Sequence, residues 1–383
     1  MTPDTSYNTK SLANKAIVVA LVAAVVSVIA GFADVDHLLR AYLTGWLYWL
    51  SLTLGCFGLM LLHNLTGGKW GIATRPYIRA GAATLPLMAL AFIPIALGAE
   101  RIFPWANEEI ASHDPIIQNK SWFLNLPGFY VRAIVYFAVW IGYWLLIRSM
   151  NARVERTGNP KTASWARLFS GHGIALFSLA VTFASVDWIM SLEPHWFSTI
   201  YGIQIVVGQG LAALAFATMM GIYLSSRSGK IAAPTTEQLH DLGKLIFGFI
   251  MLWAYMSFMQ FLIIWYANLP EETVWYTKRL RFGWQFVAGA LLVLHFFFPF
   301  FLLLTRRLKR NPGSLVKITA LIVVMHWVDL WWITQPAFPA NEHLYLPWLD
   351  LLTTVAVGGL WLATFAWNLP EGSSQAAHQK AVA

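Results

Sequence analysis

The chain has 383 residues, of which 58% are hydrophobic and only 11% are charged. A soluble domain carries about 25% charged residues, so this composition excludes an ordinary soluble fold and indicates a membrane protein. The formal net charge is +8, but the basic residues lie in short stretches between apolar runs. That distribution favours a membrane surface over nucleic acid as their partner.

Ten apolar segments follow one another along the chain. Each is long enough to cross a hydrocarbon core of about 30 Å, which takes a helix of roughly 20 residues. The segments are 16–33, 41–64, 80–99, 128–148, 167–191, 197–223, 243–267, 282–304, 315–335 and 347–367. The sequence therefore predicts an all-α integral membrane protein with ten transmembrane helices.

Lys and Arg residues are distributed unevenly between the two sides that ten spans would create. The side that holds the loops after the odd-numbered segments has seven of the 26, namely Arg40, Arg101, Lys120, Arg132, Lys278, Arg279 and Arg281. All the others flank the termini or the loops after the even-numbered segments. Because Lys and Arg are enriched on the cytoplasmic side of membrane proteins, this asymmetry predicts that both termini are cytoplasmic.

Two aspartates lie within apolar segments five and nine, in a shared local pattern. Asp187 in SVDWIMSLEPHW (185–196) and Asp329 in HWVDLWWITQP (326–336) each follow a valine and precede a proline by seven residues. Segment nine comes four segments after segment five, so the two acids would superpose if the chain held two parallel four-helix units. The pattern predicts one bundle of segments two to five and another of segments six to nine, with the first and tenth segments at the flanks.

A charged aspartate inside the hydrocarbon region is costly, so both acids require an explanation. In the structural interpretation, each carboxyl group bonds to a neighbouring helix or reaches headgroup water. In the functional interpretation, they belong to a proton route, since other ionisable groups lie at membrane depth or at its edge. His326 lies three residues before Asp329, where the two side chains share a helix face. The proton-pathway candidates are Asp187, Asp329 and His326 towards the outside, and His172, His240, Asp241 and Lys244 towards the inside.

The sequence lacks the common motifs for redox cofactors. Cys56 is the single cysteine, and there is no C-x-x-C-H haem attachment motif and no nucleotide-binding loop. One cysteine cannot hold an iron–sulfur cluster, and the histidines do not recur in pairs at a repeated helical spacing. We expect that this chain has no metal cofactor of its own, and that any redox metals lie in partner subunits.

Four stretches resemble the F subunit of bacterial alternative complex III. They are SVDWIMSLEPHWFSTIYG (185–202), LHDLGKLIFGF (239–249), QFLIIWYANLPEET (260–273) and HWVDLWWITQP (326–336). That complex is a quinol:electron-acceptor oxidoreductase, and its C and F subunits belong to the NrfD/polysulfide-reductase-like membrane family. The resemblance runs over most of the chain, from about segment two to segment ten.

The resemblance implies a ten-helix subunit of two four-helix bundles with a flanking helix on each side, in the bacterial cytoplasmic (inner) membrane. It implies several partners: a related NrfD-like membrane subunit, an iron–sulfur subunit, multihaem and monohaem cytochromes c, and small membrane-anchored subunits. Haem c and iron–sulfur clusters would belong to those partners. The F subunit is named quinone-binding by similarity and is proposed to carry proton half-channels, but the match does not assign Asp187 or Asp329 to a quinone.

The predicted organisation is a cytoplasmic N-terminus (1–15), a flanking span with an outer loop (16–40), two bundles (41–191 and 192–336), a second flanking span (337–370) and a disordered cytoplasmic tail (371–383). The predicted function is a non-catalytic membrane subunit of a quinol:electron-acceptor oxidoreductase, with cytochrome c or an oxidase as acceptor. It would hold the complex together and conduct protons. Two alternatives remain open, a secondary solute transporter and a purely structural membrane scaffold.

Overall fold

The computed structural model describes residues 9–227 and 233–369. Within these ranges the chain is helical and forms no β-strand. Ten helices there are long and apolar enough to cross a membrane, which confirms the predicted helical class and the predicted number of candidate spans. We number them span 1 to span 10: Lys10–Gly31, Val35–Thr66, Lys69–Leu97, Leu126–Thr157, Pro160–Leu192, Tyr201–Arg227, Thr236–Ala267, Trp284–Leu304, Pro312–Ala337 and Trp348–Trp367. The predicted tail at 371–383 and the first eight residues of the predicted N-terminus lie outside the described residues.

Several helices extend beyond the apolar segments, because capping residues rather than hydropathy set their ends. Span 4 continues through a polar stretch to Thr157 and stops at Gly158, which has φ +60°. A glycine adopts this left-handed conformation without strain and so ends the helix. Asn159 then caps span 5 by accepting a hydrogen bond from the amide of Lys161. At span 7, Thr235 and Gln238 form a reciprocal capping box.

Spans 3 and 8 are not continuous α-helices. Span 3 consists of three helices, Lys69–Ala82, Leu85–Leu90 and Ile93–Leu97, and a proline lies in the first turn of the second and of the third. Span 8 contains a π-helix, Leu291–Phe297, between the α-helices Trp284–Ala290 and Phe298–Leu304. Pro299 has no amide hydrogen, so it cannot form the α-helical hydrogen bond to the carbonyl group of His295. The α-helical hydrogen-bonding pattern is therefore interrupted at the end of the π-helix.

Shorter helices lie at the ends of the spans and between them. Spans 5 and 9 end in the 3₁₀ turns Met190–Leu192 and Gln335–Ala337, and Pro339–Asn341 forms another 3₁₀ turn. The connection between spans 3 and 4 contains Ala99–Ile102, Pro104–Ala106, Glu108–His113 and Pro115–Asn119. Helix Pro270–Arg279 precedes span 8, and helix Arg306–Arg310 joins spans 8 and 9. Apart from the two 3₁₀ turns that end spans 5 and 9, these short helices therefore lie outside the long spans, in the connections between them.

Spans 2 and 6 form the centre of the molecule. Span 2 contacts spans 3, 5, 6 and 10, and span 6 contacts spans 2, 3, 5, 7 and 9. At Gly55 the two central helices meet so closely that an added Cβ would lie 2.1 Å from the carbonyl oxygen of Gln209. Span 1 packs along span 10, where Gly359 faces the backbone of Ala16. Small residues of this kind let membrane helices approach closely.

Candidate functional site

A cavity of about 30 Å³ lies where spans 2, 5, 6 and 9 meet. One water molecule needs about 10–15 Å³ by the same measure, so the cavity has room for roughly two. Much of its wall is apolar, from leucine, isoleucine, alanine and tryptophan side chains. Its polar lining residues are Ser51, Ser185, Gln204, Gln209, His326 and Asp329.

Three polar atoms of these lining residues are buried without a hydrogen-bond partner in the described part of the chain. They are Oε1 of Gln204, Oε1 of Gln209 and Nδ1 of His326. Leaving such a group unpaired costs about 1–3 kcal/mol. Water in the adjoining cavity would satisfy these atoms, which gives the cavity the chemistry of a hydrated site inside the membrane.

His326 and Asp329 are the two predicted candidates that line this cavity. Nε2 of His326 lies 2.6 Å from the hydroxyl oxygen of Ser51 on span 2. The carboxylate of Asp329 accepts a hydrogen bond of 3.1 Å from the indole N–H of Trp253 on span 7, and it has no ion-pair partner among the described residues. The two side chains share a face, as their spacing predicts, but each is held by a different neighbouring span.

Trp253 connects Asp329 to a third titratable side chain, His295. The rings of Trp253 and His295 meet edge to face with centroids 4.4 Å apart. His295 is fully buried in the π-helix of span 8, and neither of its ring nitrogens has a partner within the described residues. Neither His295 nor Trp253 is among the site candidates that the sequence singles out.

Asp187 lies in a different environment and does not line the cavity. Its fully buried carboxylate accepts hydrogen bonds from Arg132 of span 4, at 2.9 Å from Nε and 2.7 Å from Nη2. The hydroxyl group of Tyr136, one turn further along span 4, donates a third bond at 2.6 Å. A carboxylate bound by a bidentate arginine and a phenol is fully neutralised and satisfied. This geometry favours the structural interpretation of Asp187.

The difference between the two acids has an origin in the sequence. Leu145–Arg148 of span 4 and Leu303–Arg306 at the end of span 8 share the pattern L-L-x-R. Arg132 lies 16 residues before Arg148, and the residue 16 before Arg306 is Ala290. The second half of the chain therefore has no arginine at the position equivalent to Arg132, and Asp329 has no counter-charge among the residues that the structure describes.

The predicted inner candidates lie away from the cavity. His172 is exposed, and its Nδ1 is 2.9 Å from the carbonyl oxygen of Leu168 in its own helix. Asp241 and Lys244 form an ion pair of 3.3 Å at the start of span 7. His240, beside them, lies near the basic helix that joins spans 8 and 9. Among the described residues the structure thus brings Asp329 and His326 together and keeps His172, His240, Asp241, Lys244 and Asp187 outside the cavity.

No known family model matches this sequence, and no curated protein does. The resemblance to alternative complex III therefore stays a prediction from the four stretches of sequence. In the described residues no group of three or more His, Cys, Asp and Glu side chains is arranged to hold a metal ion.

A third buried acid, Asp350, is not among the candidates that the sequence singles out. It lies in the first turn of span 10, fully buried, and its Oδ2 accepts a hydrogen bond of 2.9 Å from Tyr345. Its Oδ1 and the nearby Nε2 of His37 are buried without partners in the described ranges. An acid in an apolar run is itself a signal, and Asp350 lies in the run LPWLDLL (346–352). It does not follow a valine, however, and so does not share the pattern of Asp187 and Asp329.

Proposed function

We propose that this chain is a proton-conducting and scaffolding membrane subunit of a quinol:electron-acceptor oxidoreductase of the alternative complex III type. The observation that carries the proton part is the cavity between spans 2, 5, 6 and 9. Within the described residues it combines a buried carboxyl group without a counter-charge, an imidazole nitrogen without a partner, two glutamine oxygens and room for water. Titratable groups joined by water are the components of a proton route through a membrane.

Cavity size favours protons over a transported solute. Pockets that enclose small organic molecules measure about 300–1,000 Å³, whereas this cavity measures about 30 Å³. Transporters with internal repeats break corresponding helices in their two halves. Here span 3 is interrupted, but its counterpart in a four-helix repeat, span 7, is one helix from Thr236 to Ala267. The solute transporter is therefore the weaker alternative.

The proposed architecture is two four-helix bundles, spans 2–5 and spans 6–9, with spans 1 and 10 as a flanking pair. Contacts between spans 2 and 3, 2 and 5, and 4 and 5 support the first bundle. Contacts between spans 6 and 7, 6 and 9, 7 and 8, and 8 and 9 support the second. The Lys and Arg asymmetry alone leads us to place both termini in the cytoplasm of a bacterial cell.

In the proposed mechanism the chemistry of quinol oxidation belongs to partner subunits, and this chain handles the protons. Asp329 takes up and releases a proton at its carboxyl oxygens, while Trp253 fixes the orientation of that carboxyl group. The hydroxyl group of Ser51 orients His326 so that its Nδ1 faces the neighbourhood of Gly208 beside the cavity. Gln204 and Gln209 hold water between these groups. Electron transfer in a neighbouring subunit would change the charge or the hydration of these cavity residues.

The test is proton release per electron from sealed vesicles that contain the complete complex. Asp329→Asn keeps the size and the acceptor oxygen for Trp253 but removes titration, so we expect normal assembly, quinol oxidation without an opposing gradient, and a lower proton yield. Glu271→Gln, at an exposed acid of the short helix Pro270–Arg279, is the matched control and should leave the yield unchanged. Full assembly, full turnover and an unchanged yield in Asp329→Asn would remove Asp329 from the mechanism.

The assignment to the complex has its own test. Gentle solubilisation followed by affinity purification of the full chain should co-isolate c-type haem and an iron–sulfur protein. A stable homo-oligomer free of both would favour the transporter. A monomer that binds neither partner nor solute would leave the scaffold alternative, with its polar groups serving helix contacts.

A further inference from the structure

The junction of spans 8 and 9 forms a strongly basic surface that the proton function does not use. The short helix Arg306–Arg310 reads RRLKR. An open concavity of about 530 Å³ is lined by Arg306, Arg307, Arg310, Asn311 and Pro312. All three arginines are exposed, and none forms an ion pair with any described residue.

This basic helix is held in place by span 7. Lys309 packs on Gly243 so closely that an added Cβ would lie 2.7 Å from Cγ of Lys309. The Nζ of Lys309 lies 5.9 Å from the centre of the Phe247 ring. With Lys309 turned towards span 7, the three arginines face away from the protein. The arginines therefore sit on a fixed support and not on a free loop.

Nearby acids do not neutralise the surface. Asp241 is paired with Lys244, and Glu237 is paired with Lys69 at 3.3 Å. The three arginines therefore keep a net positive field at this edge of the membrane. Such a field attracts anions, and guanidinium groups bind phosphate oxygens with paired, directed N–H donors.

The surface next to the arginines is apolar. On span 8, Phe297, Phe301 and Leu304 are 41%, 60% and 55% exposed. The Phe297 and Phe301 rings stack with centroids 6.1 Å apart. These side chains lie within the span that ends immediately before Arg306, so they belong to the hydrocarbon depth of the bilayer. A molecule bound here would meet guanidinium groups at one end and aromatic rings along its length.

We infer that this surface binds an anionic phospholipid, with its phosphate at Arg306, Arg307 and Arg310 and an acyl chain along Phe297 and Phe301. Basic pockets at the membrane edge between helices suit lipid headgroups of this kind. An acidic protein segment would satisfy the arginines but would not explain the exposed aromatic strip beneath them. The inference is independent of proton conduction, because none of these residues lines the cavity.

Native mass spectrometry of the purified full chain tests the inference. The protein is titrated with phosphatidylglycerol, and in parallel with phosphatidylcholine of the same acyl composition. We expect retention of phosphatidylglycerol only, and an affinity that falls about tenfold or more in Arg306→Gln/Arg307→Gln/Arg310→Gln, since each cation near the surface adds to attraction for an anionic lipid. A triple Arg→Lys variant keeps the charge but loses the paired guanidinium donors, so its affinity should lie between those of the unmodified chain and the Gln variant.

The matched control is Arg148→Gln/Arg153→Gln/Arg156→Gln, which removes the same charge from the end of span 4. It should bind phosphatidylglycerol like the unmodified chain, and circular dichroism should be unchanged in every variant. Equal losses in both triple variants would show a general charge effect and overturn the site. Displacement of the lipid by excess inorganic phosphate alone would assign the surface to a free oxyanion, and no retention of either lipid would also overturn the proposal.

Discussion

Replacing Arg132 by methionine is expected to destabilise the protein more than replacing Asp187 by asparagine. Arg132 and Tyr136 supply the hydrogen bonds of 2.7, 2.9 and 2.6 Å that the carboxylate of Asp187 accepts. Without Arg132, a fully buried carboxylate keeps the phenol of Tyr136 as its donor. Breaking a buried ion pair from one side costs about 3–5 kcal/mol, and we expect Arg132→Met to lie in that range.

Asp187→Asn, which removes the other partner of the ion pair, is expected to be milder because the side chain of Arg132 can reach water. The side chain of Arg132 is 21% exposed and that of Asp187 is 0% exposed. In Asp187→Asn the guanidinium can turn towards water and stay over the Phe123 ring, 3.9 Å away. We therefore expect a loss of about 1.5–3 kcal/mol, the contribution of hydrogen bonds to a charged group. The double variant should cost less than the sum of the single ones by about 1–3 kcal/mol, because neither charge is left alone.

Equilibrium unfolding of the full chain in mixed detergent micelles measures these differences, followed by tryptophan fluorescence and circular dichroism. Arg153→Met, an exposed arginine near the end of span 4, is the control and should stay within about 0.5 kcal/mol of the unmodified chain. Additive single effects, or an Arg132→Met variant as stable as Asp187→Asn, would refute the reasoning. So would an Asp329→Asn variant that loses as much stability as Asp187→Asn, because Asp329 has no ion pair to break within residues 9–227 and 233–369.

Three further outcomes are expected. Cysteines introduced at Asn107 and Asn119 should react with an impermeant maleimide added outside intact cells, and labelling from the cytoplasm alone would reverse the topology. His295→Leu should leave the thermal midpoint unchanged or raise it, since it removes two ring nitrogens that have no partner among the described residues. A b-type haem spectrum that vanishes in this variant would contradict the expectation that the chain has no metal cofactor of its own. Burial acts to raise the pKa of the Asp114 carboxyl, but hydrogen bonds from His195 and two backbone amides outweigh it and lower the pKa. The contact of Asp114 with His195 is therefore stabilising above the ordinary pKa of 3.8 and is lost as the pH falls through the lowered pKa of the folded protein. Hydrogen exchange in residues 107–121 should accelerate in that pH range. Asp114→Asn should abolish this acceleration.

The ten spans were predictable because the length of an apolar run is a local property of the sequence. The ends of the helices were less predictable, because they depend on individual capping residues outside the apolar runs, such as Gly158 and the Thr235–Gln238 capping box. The interruption of span 3 follows its prolines, Pro86 and Pro94, which were visible in the sequence. Hydropathy alone does not distinguish a continuous helix from three short ones.

The candidate site was predictable in part. The cost of an acid in an apolar run singles out Asp329 and Asp187, and helical spacing adds His326. Their partners are distant in sequence: Ser51 lies 275 residues from His326, and Trp253 lies 76 residues from Asp329. No local pattern contains such contacts, so the sequence could not tell that one acid is neutralised and the other is not.

The meeting of spans 2 and 6 at Gly55 has a consequence for how this molecule could respond to a neighbour. An added Cβ would lie 2.7 Å from Cβ of Ala213 as well as 2.1 Å from the Gln209 carbonyl oxygen, so the two central helices touch backbone to backbone. A rocking motion of one half against the other would have to pull these helices apart. The side chain of Gln209 lines the cavity on the same turn, so the cavity walls are anchored to a stiff frame. Signals between this chain and a neighbour would then travel as changes of electric field and side-chain rotation, and not as movements of whole helices.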